Sequence, residues 1–297
     1  MGAFLGTYAI DLYSMGVDSP ATTSLPSLST EQKNQIKSLI DQYYSSASLF
    51  YYDGTARRQC YAYTTAGEIS TTSLTHCMNN DNKYYINCGL FAQMIWMGRN
   101  IADFGTTPTT TISTAFNWGY YFDFLLAQNA FGVKKSNGNY YSGNTYESGA
   151  NTYFISFDNA AAMAFELYSK GYEIPFKQCE VGDLVFYRSD SISDSYNDAL
   201  EQTSFRYITH VGVVYDIVDG TPIIAESTSS GTYSNGCIGR CGVTTTSYTT
   251  STGITKTLGS LGLTRGAGLS NRIVMVARHP AAFGVEGNVP TAFVVYK

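Results

Sequence analysis

Apolar positions recur at helical spacing in three stretches of the chain. The first follows Ser29, which together with Gln32 fits a capping box at a helix start. Its apolar face consists of Ile36, Leu39, Ile40, Tyr43 and Tyr44. The second, at about 88–101, is apolar on most faces and therefore predicts a buried helix. The third, 159–171, is amphipathic and ends in a glycine, and an aromatic stretch at about 118–128 predicts a shorter helical piece.

Runs of β-branched and aromatic residues predict strands, mostly in the second half of the chain. The long runs are 182–188, 208–216, 222–228 and 272–278. The pair Asp219-Gly220 predicts a hairpin turn between the second and third of these runs. Shorter strands are expected within 48–86, and the Gly/Thr/Ser-rich stretch 229–270 predicts a surface excursion. Because helices precede an antiparallel sheet, this order indicates an α+β fold.

Composition and charge narrow the class of protein. Charged residues make up 14% of the chain, against roughly 25% in typical soluble domains, whereas tyrosine is abundant, with 25 residues. Such a surface suits an extracellular or virion protein. The net charge of −5 and the lack of Lys/Arg-rich runs argue against nucleic-acid binding. No apolar stretch approaches the ~20 residues that span a bilayer, and no cation precedes Lys33, so no secretory signal is expected.

Six cysteines are present, an even number, but the chain is too long to be a disulfide scaffold. They are Cys60, Cys77, Cys88, Cys179, Cys237 and Cys241. Cys237 and Cys241 flank a short Gly/Arg-containing turn and could form a disulfide, as could Cys60 and Cys77. No histidine lies close to Cys237 or Cys241 in the sequence, so we expect no metal site there.

Cys88 is the best candidate for a reactive thiol. A nucleophilic cysteine needs a lowered pKa and a base that accepts its proton. Cys88 occupies the expected first residue of the buried helix, between Asn87 and Gly89, where unpaired backbone amides stabilise a thiolate. The other five cysteines precede strands or lie in turn-rich loops.

Three histidines are candidates for the base. His76 lies in a polar loop and His279 follows the last strand, whereas His210 is embedded in a predicted strand, ITHVGVVYD. A strand places its side chains on defined faces, so a base there is better fixed than one on a loop. Taken alone, a single histidine in a strand more often has a structural role.

Four segments resemble, in order, the motifs of the NlpC-type cell-wall cysteine peptidases. INCGLFAQMIW resembles the Asp-Cys-Ser-Gly-Phe-Val motif that opens the family's central helix. EVGDLVFY is similar to its Pro-Gly-Asp-Leu-Val-Phe-Phe strand, and ITHVGVVYD to the Ser-His-Val-Gly-Ile-Tyr strand that carries the catalytic histidine. PIIAEST falls where the family places a third polar residue. Asn87 replaces the family's Asp, and Gly89-Leu90 replaces its Ser-Gly.

The resemblance implies a papain-like NlpC-type domain, with a central nucleophile-bearing helix packed on an antiparallel β-sheet. Cys88 would be the nucleophile and His210 its base. Glu226 would be the third residue, with Ala225 the competing alignment. The implied reaction is hydrolysis of an amide bond in a peptidoglycan stem peptide, commonly the γ-D-glutamyl–diamino acid bond, and it requires no cofactor.

Three aromatic residues are further candidates for contact with substrate. Tyr84 and Tyr85, just upstream of Cys88, could place a hydroxyl near the thiol or the oxyanion, and Trp118 could line a groove for glycan or peptide. Packing is the alternative for all three. The backbone amide of Cys88 is the natural oxyanion donor, because it lies at the helix start.

The domain organisation and biological setting follow from the same resemblance. We expect residues 1–75 to be an N-terminal extension with one helix packed on the core, and 76–297 to be the hydrolase domain, with inserts at about 105–155 and 229–270. A phage tail lysin is the expected setting, with bacterial peptidoglycan and other tail proteins as partners. Two alternatives remain: an N-acetylmuramoyl-L-alanine amidase using the same site, and a non-catalytic virion protein that binds the wall.

Overall fold

The computed structural model describes residues 25–53, 61–64, 81–104, 114–122, 160–188, 208–229, 236–249, 255–261, 272–289 and 292–295. The α-helices in these ranges are α1 (Thr30–Ser45), α2 (Cys88–Met97) and α3 (Ala160–Ser169). The first strands are β1 (Phe50–Tyr52), β2 (Tyr61–Thr64), β3 (Tyr84–Ile86), β4 (Glu173–Ile174) and β5 (Leu184–Arg188). The later strands are β6 (Ile208–Val218), β7 (Thr221–Ser227), β8 (Ile238–Thr249), β9 (Thr255–Leu261), β10 (Arg272–Ala277) and β11 (Ala292–Val295).

One antiparallel sheet forms the centre of the fold. Its seven strands follow the order β4-β10-β5-β6-β7-β8-β9. Arg272 of β10 also pairs with Ser260 of β9, so the sheet curls until its β9 edge meets β10. A parallel pair, β1 with β3, and an antiparallel pair, β2 with β11, lie outside this sheet. The expectation of an α+β fold with an antiparallel sheet is confirmed.

Helix α1 begins as its sequence predicts. The Gln32 backbone N–H donates to Ser29 Oγ at 3.1 Å, and the Ser29 N–H donates to Gln32 Oε1 at 2.8 Å, which completes the capping box. The predicted apolar face is buried except for Tyr44, whose ring lies 4.3 Å from the guanidinium carbon of Arg240. Tyr43 donates its hydroxyl to the Arg99 carbonyl at 3.1 Å, so α1 packs on the same core as α2.

Helix α2 is the central element, because all ten of its residues are buried. It packs on β6 and β7. It ends at Met97, short of the predicted boundary at about residue 101, because Gly98 adopts a left-handed conformation with φ 74°. A Cβ at Gly98 would lie 2.8 Å from the Phe116 ring. Close packing and backbone geometry therefore both require glycine there.

The surface excursion expected at 229–270 is wrong for 238–249 and 255–261, which form β8 and β9. β8 pairs with β7 along 223–227, and β9 pairs with β8 along 243–249. The stretch contains many threonines, whose branched side chains favour a pleated sheet. The threonine content outweighs the glycines and serines that indicated a loop.

The disulfide between Cys237 and Cys241, which the sequence left possible, does not form, since neither thiol is in a disulfide. Cys237 directly precedes β8 and Cys241 lies within it. Four residues of extended chain span about 13 Å, well beyond the ~6 Å between Cα atoms that a disulfide requires. Cys60 and Cys77 lie outside the described residues.

Two further expectations concern turns and helices. The hairpin turn is confirmed: Asp219 and Gly220 have φ of 50° and 75°, the signs of a type I′ turn between β6 and β7. The helical piece expected at about 118–128 is wrong for 118–122, which has no helical hydrogen bonding, and 123–128 lies outside the described residues. Within the described ranges, no helix is both long and apolar enough to cross a membrane.

Candidate functional site

Cys88 is the first residue of α2, and Asn87 caps the helix. The Asn87 side-chain oxygen accepts a hydrogen bond from the Leu90 N–H at 2.8 Å, and the Asn87 carbonyl accepts from the Phe91 N–H at 2.9 Å. This extended capping residue leaves the thiol at the positive end of the helix dipole. The local sequence therefore supplies part of the electrostatics of the site.

The start of α2 lies near the point where the pairing of β6 with β7 ends. These strands pair from Val218 opposite Thr221 up to Val213 opposite Ala225. Beyond that point β7 stays paired with β8, and β6 stays paired with β5, with His210 opposite Tyr187. The backbone N–H of Val211 hydrogen-bonds to the Cys88 sulfur.

His210 and Glu226 meet just beyond the last paired residues of β6 and β7. The His210 Nε2 donates to Glu226 Oε2, and both residues are buried. Successive side chains of a strand face opposite sides, so Ala225 is directed away from His210. Of the two residues that the sequence left open for the third position, the structure places Glu226 beside the imidazole.

The Cys88 thiol contacts the same imidazole. It hydrogen-bonds to the His210 side chain and accepts from the backbone N–H groups of Val211 and Gly89. Burial raises the pKa of the Cys88 thiol, but the charge and hydrogen bond of His210 and the two amides outweigh it and lower the pKa below its usual range. Since Nε2 is bound to Glu226, Nδ1 is the nitrogen left to face the sulfur.

The pKa of His210 moves in the opposite direction. Burial lowers it, but the negative charges of Glu226 and Cys88 and their hydrogen bonds outweigh burial and raise the pKa to about 9. A lowered thiol pKa beside a raised imidazole pKa favours a thiolate–imidazolium pair near neutral pH. This arrangement combines a nucleophile, a proton donor and a carboxylate that orients the donor.

Tyr84 and Tyr85, the candidates for a hydroxyl near the thiol, lie on β3. Tyr84 is buried in a cluster with Phe50 and Phe104, where its ring centroid is 5.2 Å from that of Phe104. Tyr85 lies opposite Tyr51 in register, with ring centroids 6.2 Å apart. The structure gives Tyr84 the packing role that was the alternative.

Trp118 is not brought to the thiol. Its ring stacks on Phe116 at 3.9 Å, and its Nε1 donates to Gln35 Oε1 at 2.9 Å. Phe116 in turn packs against Gly98, which follows the last residue of α2. Trp118 therefore lies at the end of the helix opposite Cys88. The structure gives it the packing role and does not place it beside the thiol.

His279 does not join the site. His279 is buried among the rings of Trp96, Trp118 and Tyr120, and its Nε2 lies 3.3 Å from the Trp96 carbonyl oxygen. Burial lowers the pKa of His279 to about 3, against a weak opposing effect of that carbonyl. His279 is thus a neutral structural residue, and His76 lies outside the described residues.

Two contributors to the site were missed by sequence reasoning. Tyr187 lies opposite His210 in register, and their ring centroids are 5.5 Å apart. It closes the GDLVFY segment, where strand alternation could have indicated a shared face with the base. The Val211 amide could not be found from sequence, because its contact with Cys88 depends on how α2 packs on β6.

No metal is indicated by this geometry. Within the described part of the chain, no three His, Cys, Asp or Glu side chains lie close enough together to hold an ion.

Comparisons of the chain with protein-family models, with curated proteins and with solved structures found no match.

Proposed function

We propose that this protein is a cysteine hydrolase of amide bonds, with Cys88 as nucleophile, His210 as proton donor and acceptor, and Glu226 as the group that orients His210. The observation that carries the proposal is the continuous contact from the sulfur through the imidazole to the carboxylate, with the sulfur at a helix start. The four motifs in NlpC-type order support the same assignment, together with the packing of the buried helix α2 on strands of an antiparallel sheet.

The proposed reaction proceeds by acyl transfer. The Cys88 thiolate attacks the amide carbonyl carbon, and the carbonyl oxygen becomes an oxyanion held by backbone amides at the start of α2. His210 gives its proton to the departing amine as the C–N bond breaks, leaving a thioester on Cys88. Water then attacks the thioester with His210 as base, which releases the carboxylate and regenerates the thiol pair.

The proposed substrate is the stem peptide of bacterial peptidoglycan, cut at the γ-D-glutamyl–diamino acid bond. The low charge and the abundance of tyrosine support a phage tail lysin that acts at the wall. Detection of the protein in purified virions by mass spectrometry tests the phage-tail location. Its absence from virions would reject that location but would not bear on the proposed hydrolysis.

One observation favours a non-catalytic virion protein as the second candidate. Cys88 and His210 are only 8% and 5% exposed, so a substrate carbonyl has little direct access to the sulfur in this conformation. Such a protein would bind wall or assemble into the tail without cleaving peptide, and its Cys88 thiol would react no faster than a free cysteine.

Digestion of purified peptidoglycan separates these candidates. Purified walls of several chemotypes would be incubated with wild type, with Cys88→Ala and with the matched control Cys241→Ala. The control removes a buried thiol on β8 that forms no disulfide. We expect wild type and Cys241→Ala to release fragments with new amine and carboxyl ends, and Cys88→Ala to release none. Mass spectrometry of the fragments names the bond, since an amidase would instead free the lactyl end of the glycan. Equal release by Cys88→Ala, or none by wild type, would overturn the proposal.

A further inference from the structure

Gly212 lies in β6 two residues after His210, at a point where β7 comes unusually close. A Cβ built on Gly212 would lie 2.5 Å from Ile224 Cγ2, 3.1 Å from the Ala225 carbonyl oxygen and 3.6 Å from Glu226 Cβ. The first of these distances is far inside van der Waals contact. No residue with a side chain fits here while β7 keeps its position.

The same point lies on the path between the base and its carboxylate. Residues 210 and 212 share a face of β6, because side chains alternate along a strand. Val213 pairs with Ala225, so Gly212 is opposite Glu226 and His210 is one diagonal step further along. Diagonal neighbours are about 7–8 Å apart at Cα, within reach of a long side chain only when the two strands stay close.

We propose that Gly212 is a positioning residue for Glu226: the missing side chain lets β7 approach β6 closely enough for the carboxylate to reach His210 Nε2. The inference rests on the proposed function of Cys88 and His210, and it assigns to Gly212 a role in setting the charge state of the site. Gly212 itself touches no reacting atom.

A methyl group at this position would act through Ile224. The atom it meets is the methyl branch attached directly to Ile224 Cβ, in a side chain that is fully buried. A β-branched side chain has few alternative rotamers, so β7 must move instead. Such a movement lengthens the contact between Glu226 and His210, which weakens the hydrogen bond and the charge interaction together.

The test is an NMR titration of the histidine rings in Gly212→Ala, with the matched control Gly242→Ala. Gly242 is also a strand glycine, but its nearest neighbour to a built Cβ is Ile223 Cδ1 at 3.8 Å, an ordinary contact. The chain has three histidines, so the signals are few, and His279 serves as an internal reference. We expect the pKa of His210 to fall by at least about one unit in Gly212→Ala and to stay unchanged in Gly242→Ala.

A second variant keeps the test informative if Gly212→Ala folds poorly. Gly212→Ala with Ile224→Leu removes the clashing branch while keeping the side-chain volume, and we expect it to restore the wild-type titration of His210. An unchanged His210 in Gly212→Ala, an equal shift in Gly242→Ala, or a double variant that is unfolded or still shifted would overturn the inference.

Thiol reactivity separates an incorrect role for Gly212 from an incorrect assignment of the hydrolase function. Alkylation of Cys88 by iodoacetamide, followed by mass spectrometry of its peptide, gives the thiol pKa without any wall substrate. We expect Gly212→Ala to move the alkylation–pH profile of Cys88 to higher pH, because a less strongly charged imidazole stabilises the thiolate less. A wild-type Cys88 that titrates like a free thiol would reject the hydrolase proposal, whereas the His210 titration would still decide the role of Gly212.

Discussion

Two histidines are buried in this fold, and their surroundings differ in charge. His210 lies between a carboxylate and a thiol, and its pKa is raised to about 9. His279 lies among aromatic rings with a backbone carbonyl and a backbone N–H as its polar contacts, and its pKa is lowered to about 3. Burial acts in the same direction on both rings, so the charges of Glu226 and Cys88 and their hydrogen bonds to His210 account for the opposite outcomes.

The comparison shows how one fold raises the pKa of one buried imidazole and lowers the pKa of another. Both rings contact α2 or the strand packed on it, but at opposite ends of the helix: His210 at Cys88 and His279 at Trp96. The Cys88 end combines amide donors with charged side chains, whereas the Trp96 end is filled by rings. We infer that reactivity is confined to the helix start by this division.

Removing the charge that distinguishes His210 should have the largest effect. Glu226→Gln keeps the size of the side chain but loses the negative charge, so the pKa of His210 falls and the imidazole can settle in the wrong tautomer. We expect amide hydrolysis to fall on the order of 10³-fold. The alkaline limb of the pH–rate profile, set by loss of the His210 proton near pH 9, should move to lower pH. An unchanged profile in steady-state kinetics would contradict the role of Glu226.

Replacing the inert histidine should change acid stability and leave hydrolysis intact. The folded pKa of His279, about 3, lies below its ordinary value of 6.5. The stability linked to His279 is therefore complete above pH 6.5 and is lost progressively as the pH falls towards 3, by up to about 1.4 kcal/mol per pH unit. His279→Asn, which can still accept from the Ala281 N–H, should remove this slope.

Urea unfolding of wild type and His279→Asn across pH 3 to 7 measures this slope. The difference between the two curves isolates the contribution of His279 from those of other titrating groups. Parallel curves would show that His279 binds its proton equally well in the folded and unfolded states, and the contrast with His210 would then disappear.

Disrupting the aromatic surroundings of His279 should lower the free energy of unfolding without affecting substrate binding or turnover. Trp118→Leu removes the stacking on Phe116 and the hydrogen bond to Gln35, and we expect a loss of about 1–2 kcal/mol of unfolding free energy. Because Trp118 lies at the far end of α2, KM and kcat should stay within about twofold. A large rise in KM alone would indicate that Trp118 contacts the substrate.

The smallest expected effect concerns the helix cap beside the thiol. Asn87→Asp keeps the cap to the Leu90 N–H but adds a negative charge next to the Cys88 thiolate. We expect the pKa of Cys88 to rise by roughly half a unit to one unit, by repulsion of like charges. Iodoacetamide alkylation against pH measures the shift, with Asn87→Ser as the neutral control. A lower thiol pKa in the aspartate variant would contradict it.

Local sequence was sufficient to predict the elements that carry the reactive groups. The capping box of α1, the start of α2 at Cys88 and the strand around His210 all depend on side-chain to backbone bonds or on periodicity within a few residues. The same reasoning failed at β8 and β9, because their glycines and serines indicated a loop, whereas the threonines and the pairing with β7 form strands. It could not choose between packing and a substrate contact for Trp118, whose position depends on how 114–122 follows the end of α2.

Local patterns in the chain therefore predict that a thiol begins a buried helix and that an imidazole is held in a strand. Long-range packing brings these two groups together, turns Glu226 rather than Ala225 towards the ring, and keeps a second buried histidine neutral. Local patterns cannot predict these features, because pKa values are set by burial and by charges from residues distant in the chain. Strand register places those charges, and a register shift of one residue would turn Glu226 to the other face.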